Sequence, residues 1–188
     1  PKGVSLEHFG WLPILAGLAA SRFVTGVLPA SEVGLKWPND IFFNEKKLAG
    51  MLLEGGQLDS NQSTWLVIGI GINLTTDETL ENTIQRPIAS LDQISQTKKI
   101  DADVLWLAIL KELAKTIEVF EQHSFSKFQE EWNSWDIYRN QSCAIIQNEQ
   151  IQFEGFERGV DDQGHLLIES NNKIQKIISG DVSLKAKA

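Results

Sequence analysis

The stretch VGLKWPNDIFFNEKKLAGMLLE, residues 33–54, decides the fold. It holds three apolar or alternating runs, Val33 to Trp37, Ile41 to Phe43 and Leu48 to Glu54, parted by short polar turns. In the first turn, Pro38 presets a backbone dihedral, and the side chains of Asn39 and Asp40 can bond nearby backbone. Asn44-Glu45-Lys46 forms the second turn. Runs this short between turn residues read as strands, and connections this tight join antiparallel neighbours. WLVIGIGINL, residues 65–74, supplies a fourth run after the turn-rich Gly55 to Ser63. The reading is a meander of antiparallel strands.

Outward from this meander the periodicity changes. Upstream, Trp11 to Val24 is almost continuously apolar, with small Ala16, Gly17, Ala19 and Ala20, which at this length predicts a buried helix stopped by Gly26 and Pro29. Downstream, residues 75–99 are polar and aperiodic and read as an excursion over the surface. From Asp101 to Gln122 the residues Val104, Leu107, Ala108, Leu110, Leu113, Ile117 and Phe120 recur at helical spacing, with Asp101 and Asp103 at the positive end of the dipole. A further helix is expected over Phe125 to Trp135, with Phe128, Trp132 and Trp135 on one side as core. Beyond Gln141 short strands alternate with turn signals at Gln147-Asn148-Glu149, Asp161-Asp162-Gln163-Gly164 and Asn171-Asn172, which predicts a separate small β-barrel ending near Leu184. The boundary falls at Arg139–Asn140, giving units 1–139 and 140–188.

Composition narrows the functional classes. The chain of 188 residues is 42% hydrophobic and 22% charged, an ordinary globular balance. Its formal net charge of -8 argues against nucleic-acid contact from this piece, because such binding depends on Lys and Arg neutralising phosphates. The apolar runs Leu12 to Ala20 and Leu66 to Ile72 fall short of the roughly 20 residues a membrane helix needs. The single cysteine, Cys143, cannot form an internal disulfide, and a reducing cytoplasm fits it. The chain opens on Pro1, in a loop-like Pro1-Lys2-Gly3 without a preceding element, and further residues are expected upstream.

Three segments could carry chemistry: Lys36-Trp37-Pro38-Asn39-Asp40, then Lys47-Leu48-Ala49-Gly50-Met51-Leu52-Leu53-Glu54, then Ile68-Gly69-Ile70-Gly71-Ile72-Asn73-Leu74. Their order and spacing resemble the core signature of bacterial biotin protein ligases, as do the helix before them, the long helix after them and the terminal Ile178-Ser179-Gly180-Asp181-Val182-Ser183-Leu184. The resemblance covers nearly the whole chain. It implies an α+β fold: a mixed or antiparallel sheet flanked by helices, a class II synthetase-like ligase core, followed by a small SH3-like β-barrel. It also implies a two-step reaction, in which ATP and biotin give biotinyl-5'-AMP and biotin passes to a lysine of the biotin carboxyl carrier protein. Magnesium is the implied metal, and a homodimer is a possible assembly.

Joining a carboxylate to a phosphate brings anions together, so the site needs cations and backbone donors where charge develops. Lys47 is the natural candidate, on a strand shoulder near Gly50, whose missing side chain lets a ligand approach the backbone. The resemblance places Asn39 toward adenine or ribose, Asp40 near the acyl-phosphate where it orients Lys47 or the incoming lysine, and Leu52 in the binding surface. It places Asn73, costly at the end of an apolar strand unless bonded, toward the phosphates and their magnesium. Trp37 packs in the core or walls the nucleotide pocket. Gly69 and Gly71 lack the third glycine and following helix of a dinucleotide fingerprint and serve strand packing or ligand room. His8, His123 and His165 lack metal-ligand spacing, and Asp161 to Gly164 reads as a hairpin turn without the later ligands of a calcium loop. Family members also carry, upstream of the opening helix, an arginine-rich Gly-Arg-Gly-Arg-Arg-Gly loop and a Ser/Thr-rich strand end. Neither is in these 188 residues, so the chain alone is expected to bind biotin poorly and adenylate it slowly or not at all. Two alternatives remain: a lipoate or octanoate ligase on the same sheet, or a non-catalytic module that binds the carrier protein or dimerises.

Overall fold

The computed structural model describes residues 11–26, 32–58, 63–76, 87–94, 101–147, 150–178 and 182–186. The quoted stretch forms an antiparallel meander, β1 (Val33–Lys36), β2 (Asp40–Phe43) and β3 (Lys46–Leu58), extended by β4 (Ser63–Ile72) in the order β1-β2-β3-β4. A register shift between Ile41 and Phe42 bulges the β2–β3 ladder beside Lys47. The residues that turn the chain at Asn44 and Glu45 have positive φ, the conformation that a tight hairpin demands.

Helix α1 (Leu12–Thr25) covers one sheet face. Its Leu12, Ile14, Leu15, Leu18, Ala19, Ala20 and Val24 are all buried, as its continuous apolar sequence implies, and Gly26 caps it; Pro29 lies outside the described residues. A short helix α2 (Leu91–Ile94) precedes the long α3 (Ala102–His123), whose start is capped by Asp101 accepting from the amides of Asp103 and Val104. Helix α4 (Ser126–Trp135) follows, burying Phe128 and Trp132. Arg22 joins the three longer helices. It makes a two-pronged bond to Glu131 (2.7 and 2.5 Å), reaches Thr116 (3.2 Å), and lies 5.7 Å from the Phe128 ring centroid.

After α4 the backbone bridges onto the first sheet, Leu35 pairing in parallel with Asp136 and the Ile137 amide donating to the Leu35 carbonyl. Strands β5 (Ser142–Gln147), β6 (Gln150–Val160), β7 (Leu166–Ser170), β8 (Lys173–Ile177) and β9 (Val182–Ala186) then form a second antiparallel sheet, order β8-β7-β6-β5-β9. No ladder joins β8 to β9 among the described residues, so what is seen of the expected barrel is a five-stranded sheet. Asn171 and Asn172, both at positive φ, turn β7 into β8, as the sequence suggested. Residues Asn148 and Glu149 of another expected turn lie outside the described residues.

The surface excursion expected over 75–99 needs correction in part. Ile88, Ala89, Ser90 and Leu91 are buried, and Ile88 bridges in parallel to Lys47. Four residues with a serine among them are too few to show a period, so their burial is not legible in their own sequence. Residues 77–86 and 95–100 lie outside the described residues. Among the described residues no helix is long and apolar enough to cross a membrane.

Candidate active site

The β1–β2 turn and the start of β3 meet at one point. Lys47 Nζ donates to Asp40 Oδ1 at 2.5 Å, and Asp40 pairs across the ladder with Gly50. A β-carbon built on Gly50 would lie 3.0 Å from Asp40 Oδ1 and 3.1 Å from Lys47 Nζ. The ion pair therefore rests directly on the glycine, which any larger residue would push away. Both side chains are about a fifth to a quarter exposed, so the pair is open to a ligand on one side.

Period-two alternation continues this surface along β3 and β4. Gly50 pairs with Gly71 and Leu52 with Gly69, on the face opposite the one α1 covers. Leu52 is 63% exposed, with exposed Val67 and Trp65 further along. The nearest atoms to a β-carbon on Gly69 are those of Leu52, at 3.6 Å, and on Gly71 the Gly50 carbonyl, at 3.8 Å; both positions have ordinary room. The result is a shallow apolar trench floored by glycine backbone, with an ammonium and a carboxylate at one end.

The other expected residues brace this arrangement. Asn39 donates its side-chain amide to the Met51 carbonyl, and the Met51 amide returns a bond to the Asn39 carbonyl at 2.9 Å. Asn73 Nδ2 donates to the carbonyls of Lys47 (3.1 Å) and Ala89 (3.0 Å), while the Ala89 amide bonds the Lys47 carbonyl. Its nitrogen thus ties the buried 88–91 segment to the backbone of Lys47. Trp37 takes the buried placement, 2% exposed, with its indole N–H donating to the Gly164 carbonyl of the second sheet at 3.2 Å. It does not join the trench.

Sequence reasoning missed three features. The turn expected at Asp161 to Gly164 is organised by Asp161, whose carboxylate accepts from the amides of Gln163 and His165, from the His165 ring and from Lys176. These donors hold the Asp161 carboxyl below the usual carboxylate range despite its burial. Asp136 and Glu157 form a buried carboxyl pair between the sheets. Burial, then the neighbouring Asp136, pushes the Glu157 carboxyl up to about 9, and burial likewise raises Asp136. Cys143 sits nearby, its thiol pushed up to about 11 by burial, so it is an unreactive core residue. The third is Arg22, whose partners lie 90 to 109 residues away.

Two family models match the chain. Residues 14–73 match the model of the biotin/lipoate A/B protein ligase family, and residues 139–185 that of the biotin protein ligase C-terminal domain. The chain belongs to the biotin protein ligase family. Among members of the family, it is 32% identical over 177 residues to the bifunctional ligase/repressor BirA of Escherichia coli, covering 93% of this chain and 53% of that protein. It is 27% identical over 192 residues to the biotin–[acetyl-CoA-carboxylase] ligase of Mycobacterium tuberculosis, covering 95% and 64%. The apo biotin protein ligase from Aquifex aeolicus superposes with a TM-score of 0.82 at 28% identity, over 97% of this chain and 77% of that one. The same enzyme in complex with biotin and ATP superposes at 0.80 and 29% identity, over 95% and 72%. The chain spans about half the length of the BirA proteins it matches.

Proposed function

We propose that this chain carries the phosphate-facing half of the active site of an ATP-dependent biotin ligase. The overall reaction forms biotinyl-5'-AMP and then transfers biotin to a lysine of the biotin carboxyl carrier protein of an acetyl-CoA carboxylase. The observation that carries the reading is the Lys47–Asp40 pair seated on Gly50 at the end of the glycine-floored trench.

In the first step a carboxylate oxygen of biotin attacks the α-phosphorus of ATP, and pyrophosphate leaves. Both reactants are anionic, so Lys47 lowers the barrier by donating where negative charge accumulates. Asp40 orients that ammonium. The trench takes the apolar part of biotin against Leu52 and the bare backbone of Gly69 and Gly71. In the second step the carrier lysine's amine attacks the acyl carbon of the mixed anhydride, AMP departs with the electron pair, and the nitrogen gives up a proton to solvent as the amide forms. Asn39 and Asn73 hold the two ends of the site in place, one through Met51 and the other through the Lys47 backbone.

Among the described residues no group of three or more His, Cys, Asp or Glu is gathered for a metal. Magnesium would be carried mainly by the nucleotide's own phosphates, since that ion commonly keeps few protein ligands, and the Asn73 side-chain oxygen would be its donor from this chain. Bound there, it would screen phosphate charge.

The test is transfer of labelled biotin to an isolated carrier domain by the full-length protein with MgATP. Lys47→Ala is expected to lower kcat by about 10²- to 10³-fold, the usual loss for one charge-stabilising donor. The melting temperature should hardly move, because a partly exposed ion pair contributes about 0–1 kcal/mol. Carrier binding without ATP-dependent transfer would instead identify a non-catalytic module.

A further inference from the structure

Asp161 receives four hydrogen bonds within or beside one short turn. The amides of Gln163 and His165 donate to Oδ1, both at 2.9 Å, and the His165 ring and Lys176 Nζ reach Oδ2 at 3.2 and 2.8 Å. Its own amide and carbonyl close the turn with the His165 carbonyl and the Gly164 amide, each at 3.0 Å. So many restraints on five residues are more than a hairpin needs. Their effect is to fix Gly164, which stands at φ +74°, a conformation natural to glycine. A β-carbon there would come within 3.0 Å of Trp11 and 3.1 Å of Ile14, so the turn is seated against α1.

The carbonyl of that fixed glycine accepts the Trp37 indole N–H, 127 residues away in sequence. Trp37 opens the three-residue link between β1 and β2, and Asp40 closes it opposite Lys36. The link is held at its first residue by the second sheet and at its third, Asn39, by the Met51 backbone of β3. Asp40 follows the second restraint directly and pairs with Lys36 on one side and Gly50 on the other, so the shape of the link bears on its position and, through it, on Lys47.

We propose that the Asp161–His165 turn is a positioning element for the Lys47–Asp40 pair, acting through the Trp37 indole. The kinetic consequence rests on the ligase reading given above; the mechanical coupling does not. Asp161, Gly164 and Trp37 touch no reacting atom. They keep the ammonium and carboxylate where a developing charge will appear, so losing them lowers turnover while leaving substrate binding alone.

Two conservative variants of the full-length protein test this, Asp161→Asn and Trp37→Phe. The first keeps an oxygen for the turn amides but removes the charge that holds His165 and Lys176; the second removes the donor to Gly164 together with part of the buried ring. The first readout, independent of activity, is hydrogen exchange at the Met51 amide, which bonds the Asn39 carbonyl. It is expected to quicken about tenfold in both variants, the scale of one lost hydrogen bond. The second readout is adenylate formation, where kcat should fall about tenfold with KM for biotin and ATP within twofold of the parent. Arg158→Gln breaks the Glu169 ion pair elsewhere on the second sheet and should change neither. Unchanged Met51 exchange in both variants overturns the coupling, as does the same response from Arg158→Gln. A quickened exchange in a protein that shows no biotin-dependent turnover supports the coupling and refutes the ligase reading instead.

Discussion

Replacing Glu157 by Gln should make the protein more stable at alkaline pH. The Glu157 side chain is wholly buried, and its Oε1 accepts from the Gly159 amide. Its Oε2, and Oδ2 of Asp136, are buried with no donor reaching them among the described residues. A proton shared between the two carboxyls satisfies both; burial first, and then the neighbouring Asp136, raises the Glu157 pKa from 4.5 to about 9. In the unfolded chain Glu157 is ionised above about pH 4.5, so folding takes up a proton throughout the window between the two values. A raised carboxyl therefore contributes stability that is present at low pH and lost as pH climbs toward 9, by about 1.4 kcal/mol per pH unit. From pH 6 to pH 8 the loss is about 3 kcal/mol, or about 5–10 °C in melting temperature for a protein of this size. Glu157→Gln keeps the shape, accepts from Gly159 and offers Asp136 a permanent donor with no proton to lose. The assay is thermal or urea unfolding of both proteins at pH 6, 7 and 8. Titrating groups outside this pair are common to both proteins and cancel in the difference. Parallel stability curves would refute the shared-proton argument.

Three further outcomes follow from the same geometry. Gly69→Val should fold normally, since a β-carbon there meets Leu52 only at 3.6 Å, yet it should raise KM for biotin by filling the trench; an unchanged KM in transfer assays would move the acyl site elsewhere. Gly34→Ala should destabilise the fold by about 1–3 kcal/mol in urea unfolding, because its β-carbon would lie 2.1 Å from Ile137 Cγ2, where the linker bridges onto β1. Arg22→Lys keeps the charge but loses the two-pronged bond to Glu131, and a drop of about 1–3 kcal/mol in the same assay is expected.

The meander was legible because its evidence is local. Pro38-Asn39-Asp40 and Asn44-Glu45-Lys46 each specify a turn, and two turns with three short apolar runs leave little choice of topology. The long helix was legible in its start, which Asp101 caps, but not in its inner face: Leu105, Ile109, Leu113, Thr116 and Phe120 are buried, whereas Val104, Leu107 and Leu110 of the expected stripe are exposed. The buried 88–91 segment was not, because it is held by Asn73 and the Lys47 backbone, neither of which leaves a trace in its own residues. Trp37 shows the limit within the motif itself. Its type suits a core or a pocket wall equally, and the deciding partner is a backbone carbonyl beyond the reach of any local pattern. The same holds for Glu157, which as a lone glutamate in a strand reads as solvated until Asp136 is found beside it.

The Lys47–Asp40 pair carries a chemical consequence that the motif alone does not. Lys47 and Asp40 together are neutral, on a chain whose formal net charge is -8, so the pair cannot attract a polyphosphate by net charge. What it offers is direction. An ammonium has three donors, and with one committed to Asp40 two remain for oxygens of the reacting groups. Asp40 fixes how those two point, and the bare backbone of Gly50 beneath leaves room that a β-carbon, 3.1 Å from the ammonium, would take. Lys47 is thus built to recognise charge that appears at one place during the reaction more than charge already present on the substrate, which is the condition for raising turnover instead of ground-state affinity. On this argument Asp40→Asn should lower kcat while leaving KM for ATP nearly unchanged, and a large rise in KM with kcat preserved would show that the pair serves binding alone.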